Sequence, residues 1–403
     1  MRSATVLSFA VVVGLTAVAC APRAPGTGSI APAPVGSPAT VGSPTAPIST
    51  DLSGLRINTA GWRTDFAKHS VDLRELLGGG PPKDGIPAID RPHFESIADA
   101  RAWLTDRAPV ISVTVGEHAR AYPIAILVWH EIVNDTLGGR PITVTFCPLC
   151  NTALAFDRTV GGTVYDFGTT GNLRLSDLVM YDRQTESWWQ QATGGAIVGT
   201  LTGTQLTFLP AQMISLGAFA AAYPTGDVLS RDTGNSRAYG QNPYASYDQA
   251  DSQPFLFSGT ADGRLPPKER VVSVGQGGDS IAFPYTALAK VGVVETMVGG
   301  KPVIVFWVAG TASPLDTRDI LGRDIGATGV FRPVAAGRPL TFHRDGGANA
   351  PIVDTETGST WSVTGLATAG PLKATQLDPV AHGDHFWFAW AAFAPGTRIW
   401  TAP

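Results

Sequence analysis

The chain is poor in thiols, with three cysteines in 403 residues. Cys20 belongs to the N-terminal segment, which leaves Cys147 and Cys150 as the only thiols beyond it. Such a pair can close a tight disulfide, attack another disulfide, or supply two thiolate ligands to a metal. No second Cys-x-x-Cys occurs, and no histidine pair has the three to five intervening residues of a zinc finger, so the usual four-ligand structural zinc pattern is absent. His-Glu-x-x-His and Ser-centred nucleophile motifs are missing too, which removes the zincin and serine-hydrolase patterns. Charge is sparse: 15% of residues are charged and the net charge is −4, without the basic stripe of a nucleic-acid binder. After residue 20 no apolar run is long enough to span a bilayer.

Turn-forming residues, by contrast, are abundant. Glycine (46) and proline (31), with ten tryptophans and 44% hydrophobic residues, predict a mainly β fold of α+β type with short helices. Arg2, the apolar run 6–15 and the small-residue stretch ending in Cys20 predict a signal peptide over 1–20. Cys20 stands where a bacterial lipoprotein carries its lipid. Ala17 departs from the leucine usual there, which leaves plain secretion open. Residues 21–50, almost wholly Ala, Pro, Gly, Ser, Thr and Val, predict a disordered tether. The expectation is an extracytoplasmic protein, anchored to the membrane by a lipid on Cys20, with its protein or small-molecule partner open.

Residues 51–109 read as an N-terminal segment packed on the core. The stretch 110–115 alternates as a strand, and Pro123 opens a short helix. Gly138-Gly139 marks the turn of a hairpin whose second arm runs from Arg140 to Phe146. In that hairpin opposed residue numbers sum to 277, which sets His130 opposite Cys147. Directly opposed residues share a face, with Cβ atoms about 5 Å apart.

The sequence then repeats its landmarks. Gly138-Gly-Arg-Pro-Ile-Thr-Val-Thr-Phe matches Gly299-Gly-Lys-Pro-Val-Ile-Val-Phe-Trp, an offset of 161. Asp182-Arg-Gln-Thr-Glu-Ser-Trp-Trp matches Asp354-Thr-Glu-Thr-Gly-Ser-Thr-Trp, and Phe219-Ala-Ala-Ala-Tyr-Pro matches Trp390-Ala-Ala-Phe-Ala-Pro. Two internally duplicated β-rich units are predicted, 110–232 carrying the Cys-x-x-Cys and a degenerate 270–403, joined by a connecting segment 233–269. At the offset of 161 Cys147 falls on Val308, Cys150 on Thr311, His130 on Val291 and Glu131 on Gly292. The reactive side chains belong to the first unit alone.

Three readings of the pair compete. Cys147, Cys150 and His130, with Met180 or Glu131, can hold a transition metal, and two thiolates with an imidazole suit copper or zinc. Alternatively the pair is a thiol–disulfide oxidoreductase, with Cys147 attacking, Cys150 resolving and His130 lowering the thiol pKa. The third reading is a non-catalytic envelope-binding module with a structural disulfide, recognising a glycan or protein through Trp188, Trp189, Trp361, Trp387 and Trp390. The carboxylates Asp157, Asp166, Asp177 and Asp182 lie near turns, where aspartate is common. His69, His93, His118, His343, His382 and His385 are weaker candidates, and His385 reaches the pair only if the two units pack together.

Gly79-Gly-Pro-Pro-Lys-Asp-Gly-Ile-Pro-Ala-Ile-Asp, Trp129-His-Glu-Ile-Val-Asn-Asp, Thr145-Phe-Cys-Pro-Leu-Cys and Ser176-Asp-Leu-Val-Met-Tyr-Asp-Arg-Gln-Thr together resemble the bacterial DUF3179 family. The resemblance spans most of the chain after the tether and implies no established activity. Asn151 stands where that family usually has glycine.

Overall fold

The alternating valines and isoleucine of 110–115 form the strand Pro109–Val115, which turns through Gly116 into the antiparallel strand His118–Pro123. Ala211–Ser215 pairs on the free side of the first strand, and Asp227–Leu229 runs parallel to the second. Pro123 has a fixed φ and no N–H, which suits a helix start, and it caps the helix Ile124–His130. These elements belong to a computed structural model that describes residues 54–275, 277–347 and 350–402. The predicted signal peptide, Cys20 and the tether lie outside the described residues.

The chain leaves the helix into the hairpin Ile132–Leu137/Arg140–Cys147. Its turn is Gly138 (φ 56°) and Gly139 (φ 79°), two positive φ values in a row, as a two-residue type I′ turn requires. The register is the one read from the sequence, with Ile132 opposite Thr145 and Leu137 opposite Arg140. Arg140–Cys147 also pairs with Thr152–Asp157, so residues 148–151 are the tight link of a second hairpin. A separate five-stranded sheet runs Leu76–Gly78, Phe167–Arg174, Asp177–Asp182, Trp188–Gln190, Gly195–Val198 in spatial order.

The second half pairs its strands in the same sequence. Arg270–Val274 and Ile281–Pro284 are antiparallel, flanked by His382–Phe386 and by the parallel strand Arg398–Ile399. Pro284 caps the helix Tyr285–Val291, and the hairpin Val293–Val298/Lys301–Val308 turns at Gly299-Gly300. The Asp-x-x-Thr turn carries one network in both halves. Asp182 accepts from Thr185 N and Oγ1 and, at 2.9 Å, from Trp189 Nε1; Asp354 does the same with Thr357 and Trp361, again at 2.9 Å to the indole. The offset of 161 holds only through Val308. Beyond it the second half has a loop over 309–326 where the first has 148–151, so Thr311 is no counterpart of Cys150.

The halves share one sheet, joined where Asp384 pairs with Ala153. Around this seam the Gln212 side chain donates to Thr328 O and Val363 O. The connecting segment forms no strand or helix among its described residues and crosses the Cys147–Cys150 link. Its Asp248 is wholly buried, gripped by Arg270 at 3.0 Å, by Arg323 at 3.0 Å and by Ser313. Backbone bonds from Asn242, Ser246 and Tyr247 to Arg318, Asp316 and Leu315 fasten the segment to the second half's 309–326 loop.

Candidate functional site

The structure brings Cys147, Cys150 and Asp177 together, with one donor atom of each lying within 4.8 Å of the others. Each comes from a tight turn. Cys147 ends its strand and Cys150 closes the link after it, followed by Asn151 in the left-handed region (φ 49°). Asp177 opens its strand after Leu175 (φ 52°) and Ser176 (φ 71°), a two-residue turn built without glycine. Non-glycine residues held at positive φ store strain that recurs at functional sites.

All three side chains are buried, with Cys147 at 1% exposure and Cys150 and Asp177 at 0%. The cysteines are free thiols, which removes the structural disulfide. Cys147 Sγ makes a long contact to Ser176 O at 3.8 Å. Asp177 Oδ2 accepts from Ala192 N at 2.9 Å and from Gln190 Nε2. Oδ1 makes no nitrogen or hydroxyl hydrogen bond among the described residues, and the carboxylate's remaining neighbours are the two thiols; neither amide atom of Asn151 has a partner there. Met180 is fully buried in the apolar cluster that contains both cysteines.

Glu131 lies outside that group but is a further buried acid. It is 7% exposed, and burial with the nearby Asp177 charge pushes its carboxyl up to about 8. Burial raises Asp177 to about 7, against the hydrogen bonds that would lower it. Burial also pushes both thiols up, Cys150 further than Cys147, because the Cys147 thiol and Asp177 add to its burial. No cation offsets any of these shifts.

A stability consequence follows for the metal-free protein. Carboxyls held above their ordinary 3.8 and 4.5 make the folded chain bind protons that the unfolded chain releases. Their contribution is complete below about pH 4 and is lost as pH rises through about 7 and about 8. Urea midpoints taken with a chelator between pH 5 and 8 should therefore fall less steeply in Asp177→Asn than in the parent. Equal slopes in the two proteins would contradict this account.

His130 does not join the group. The hairpin register is as expected, yet the helix runs through His130, and Glu131 turns the chain (φ 58°) before pairing begins at Ile132. Helix geometry thus overrides the strand extension that would have set His130 opposite Cys147. Its Nδ1 faces Pro87 O at 2.6 Å, a pure acceptor, so Nδ1 carries the proton and Nε2 accepts from Tyr239 OH at 2.7 Å. The five tryptophans proposed as binding faces are core: Trp188, Trp189 and Trp387 are 0% exposed, Trp361 4% and Trp390 8%. Of the other histidines, His385 lies nearest the link. Its Nδ1 meets Thr152 Oγ1 at 2.9 Å and its Nε2 meets Ser273 Oγ at 3.0 Å, while Phe386 N bonds Cys150 O at 2.8 Å.

Sequence reasoning passed over Asp177, set aside as a turn residue. It also passed over Tyr244 and Tyr247 of the connecting segment, which pack on the thiol cluster. Burial raises the Tyr244 hydroxyl, helped by the negative groups of Glu131 and Cys147. Ser176 Oγ donates to Phe255 O, tying the Leu175–Ser176 turn to that same segment. The enclosure is apolar and anionic, without the electropositive, partly open surroundings of a reactive cysteine.

No curated protein and no solved structure matches the chain. The family model described as "Protein of unknown function (DUF3179)" matches residues 83–397, a span that takes in both halves and every residue of the cluster, and the chain belongs to that family.

Proposed function

We propose that Cys147, Cys150 and Asp177 bind a transition-metal ion, with zinc the best fit. The observation that carries this reading is the enclosed meeting of two thiols with a carboxylate whose Oδ1 has only those thiols for polar neighbours, with no cationic side chain among them. A buried anion without a partner is costly, and a divalent ion resolves the cost for all three groups at once. Thiolate sulfur with carboxylate oxygen falls within the ligand range of zinc. The buried thioether of Met180 in the same cluster favours copper as the second reading.

Residues 110–232 and 270–403 are read here as two copies of one unit, of which only the first keeps the donors. The recurring pairings, the Gly-Gly hairpins and the matched Asp182 and Asp354 networks support this. The N-terminal sequence supports an extracytoplasmic, lipid-anchored placement through Cys20. Disulfide exchange fits the surroundings less well, because burial and neighbouring acids oppose a thiolate unless a metal holds it.

X-ray absorption on zinc-loaded protein tests the assignment. The expected first shell has two sulfurs at about 2.3 Å, with the remaining donors oxygen at about 2.0 to 2.2 Å. Imidazole scattering would restore His130 as a ligand, and purified protein that retains no metal under zinc supply would sink the reading.

A further inference from the structure

We propose that Glu131 supplies the fourth donor of this site, and that the chain keeps a strained backbone there in order to place it. The proposal rests on the metal reading above and adds a residue to it. Glu131 follows the helix Ile124–His130 with φ 58°, a value that costs a side-chain-bearing residue free energy and glycine little. The second half performs the same step with Gly292, φ 74°. The surrounding bonds agree closely. Glu131 N donates to Leu127 O at 2.8 Å and Gly292 N to Leu288 O at 2.7 Å, while Phe146 N and Trp307 N donate to Glu131 O and Gly292 O at 2.8 Å each. The turn itself therefore calls for glycine, and the glutamate must be explained by its side chain.

One more position shows what such an exchange is for. Glu186 (φ 57°) stands where the second half has Gly358 (φ 67°), each bonded through its N to the carbonyl of Asp182 or Asp354 at 2.9 Å. The Glu186 carboxylate accepts from Arg63 N at 2.7 Å and pairs with Lys83 at 2.9 Å, so its strain is offset by partners. Glu131 has the same backbone exchange and is 7% exposed, yet its carboxylate has no ion pair and no hydrogen bond among the described residues. Its carbonyl holds Phe146 N at 2.8 Å, one residue before Cys147, and its charge is felt at Asp177, Cys147 and Tyr244; the carboxylate is not among the donor atoms lying within 4.8 Å of one another, so its side chain must rotate to reach the ion. Two sulfurs and two carboxylate oxygens then complete a four-coordinate shell, the number that zinc prefers.

Two variants of the full-length protein test this, each by zinc competition against a chromophoric chelator and by urea denaturation without metal. Glu131→Gly should bind zinc at least about tenfold more weakly, while its metal-free urea midpoint stays equal or rises. Glu131→Gln keeps the strained side chain and should weaken zinc comparably, and with metal-free midpoints compared at about pH 4, where the carboxyl is protonated, it should lack that gain. A parent protein that takes up no zinc removes the metal reading and this proposal together. Zinc uptake by the parent with unchanged affinity in both variants removes this proposal alone. A lower metal-free midpoint in Glu131→Gly at unchanged affinity would likewise overturn it, marking a purely structural glutamate.

Discussion

Serine at Cys147 or Cys150 should abolish the stabilisation by zinc that the proposed site would give the parent protein. A ligand that binds only the folded state adds RT ln(1 + [L]/Kd), about 4 kcal/mol at a thousandfold excess over Kd. Serine removes a soft, acidic donor and leaves an alcohol that does not ionise. Its buried hydroxyl costs about 1 to 3 kcal/mol in the metal-free protein, because Cys147 is 1% and Cys150 0% exposed among apolar side chains. The fold itself should survive, since the second half builds the same hairpin with Val308 in the place of Cys147. Calorimetric scans with zinc and with chelator make the comparison. The two scans should separate widely for the parent and coincide for either serine variant, and an undiminished zinc shift in either variant would contradict the assignment.

The second large effect belongs to Asp248, which is not one of the donors. Burial alone would raise its carboxyl, yet Arg270, Ser313 and Arg323 outweigh that and hold it below the usual carboxylate range. Asp248→Ala leaves the Arg270 guanidinium, with 6% side-chain exposure, buried without its anion. Breaking such a pair from one side costs about 3–5 kcal/mol, far more than an exposed salt bridge. The loss should appear as a fall in urea midpoint at unchanged slope. Because the segment bearing Tyr244 and Tyr247 is fastened through Asp248, the two thiols should also react faster with a thiol reagent under native conditions. A stability loss below about 1 kcal/mol would show that solvent reaches Arg270 after all.

Legibility in the sequence followed the range of the forces involved. The Gly138-Gly139 turn needs two positive φ values, a local demand, so the hairpin and its register could be read from the residues themselves. The Cys-x-x-Cys pair was equally local. His130 failed because two local rules competed there. The strand pattern extended past Ile132, and the helix begun at Pro123 kept His130 for its own last turn. Asp177 was invisible for another reason: its neighbours in sequence make an ordinary turn, and only packing against 148–151 turns it into a buried acid. The comparison of halves also sets Glu131 against Gly292, and the structure gives both a positive φ (58° and 74°), the exchange on which the proposed role of Glu131 rests. The connecting segment has neither helical nor strand period, so nothing in 233–269 announced that it would roof the thiols.

The grip of the second half on the first has a consequence for ancestry and for engineering. Phe386 N holds the carbonyl of Cys150, His385 holds Thr152, and Arg270 with the 309–326 loop holds the segment above them. The second half, which lacks the cysteines, thus walls in the first half's link, and on the duplication reading its 309–326 loop stands where the first half has residues 148–151. Neither half is a transferable module. Any shorter descendant that kept the Cys-Pro-Leu-Cys turn would have to invent a new wall for it, so the pair of halves, rather than one of them, is the unit that selection can act upon.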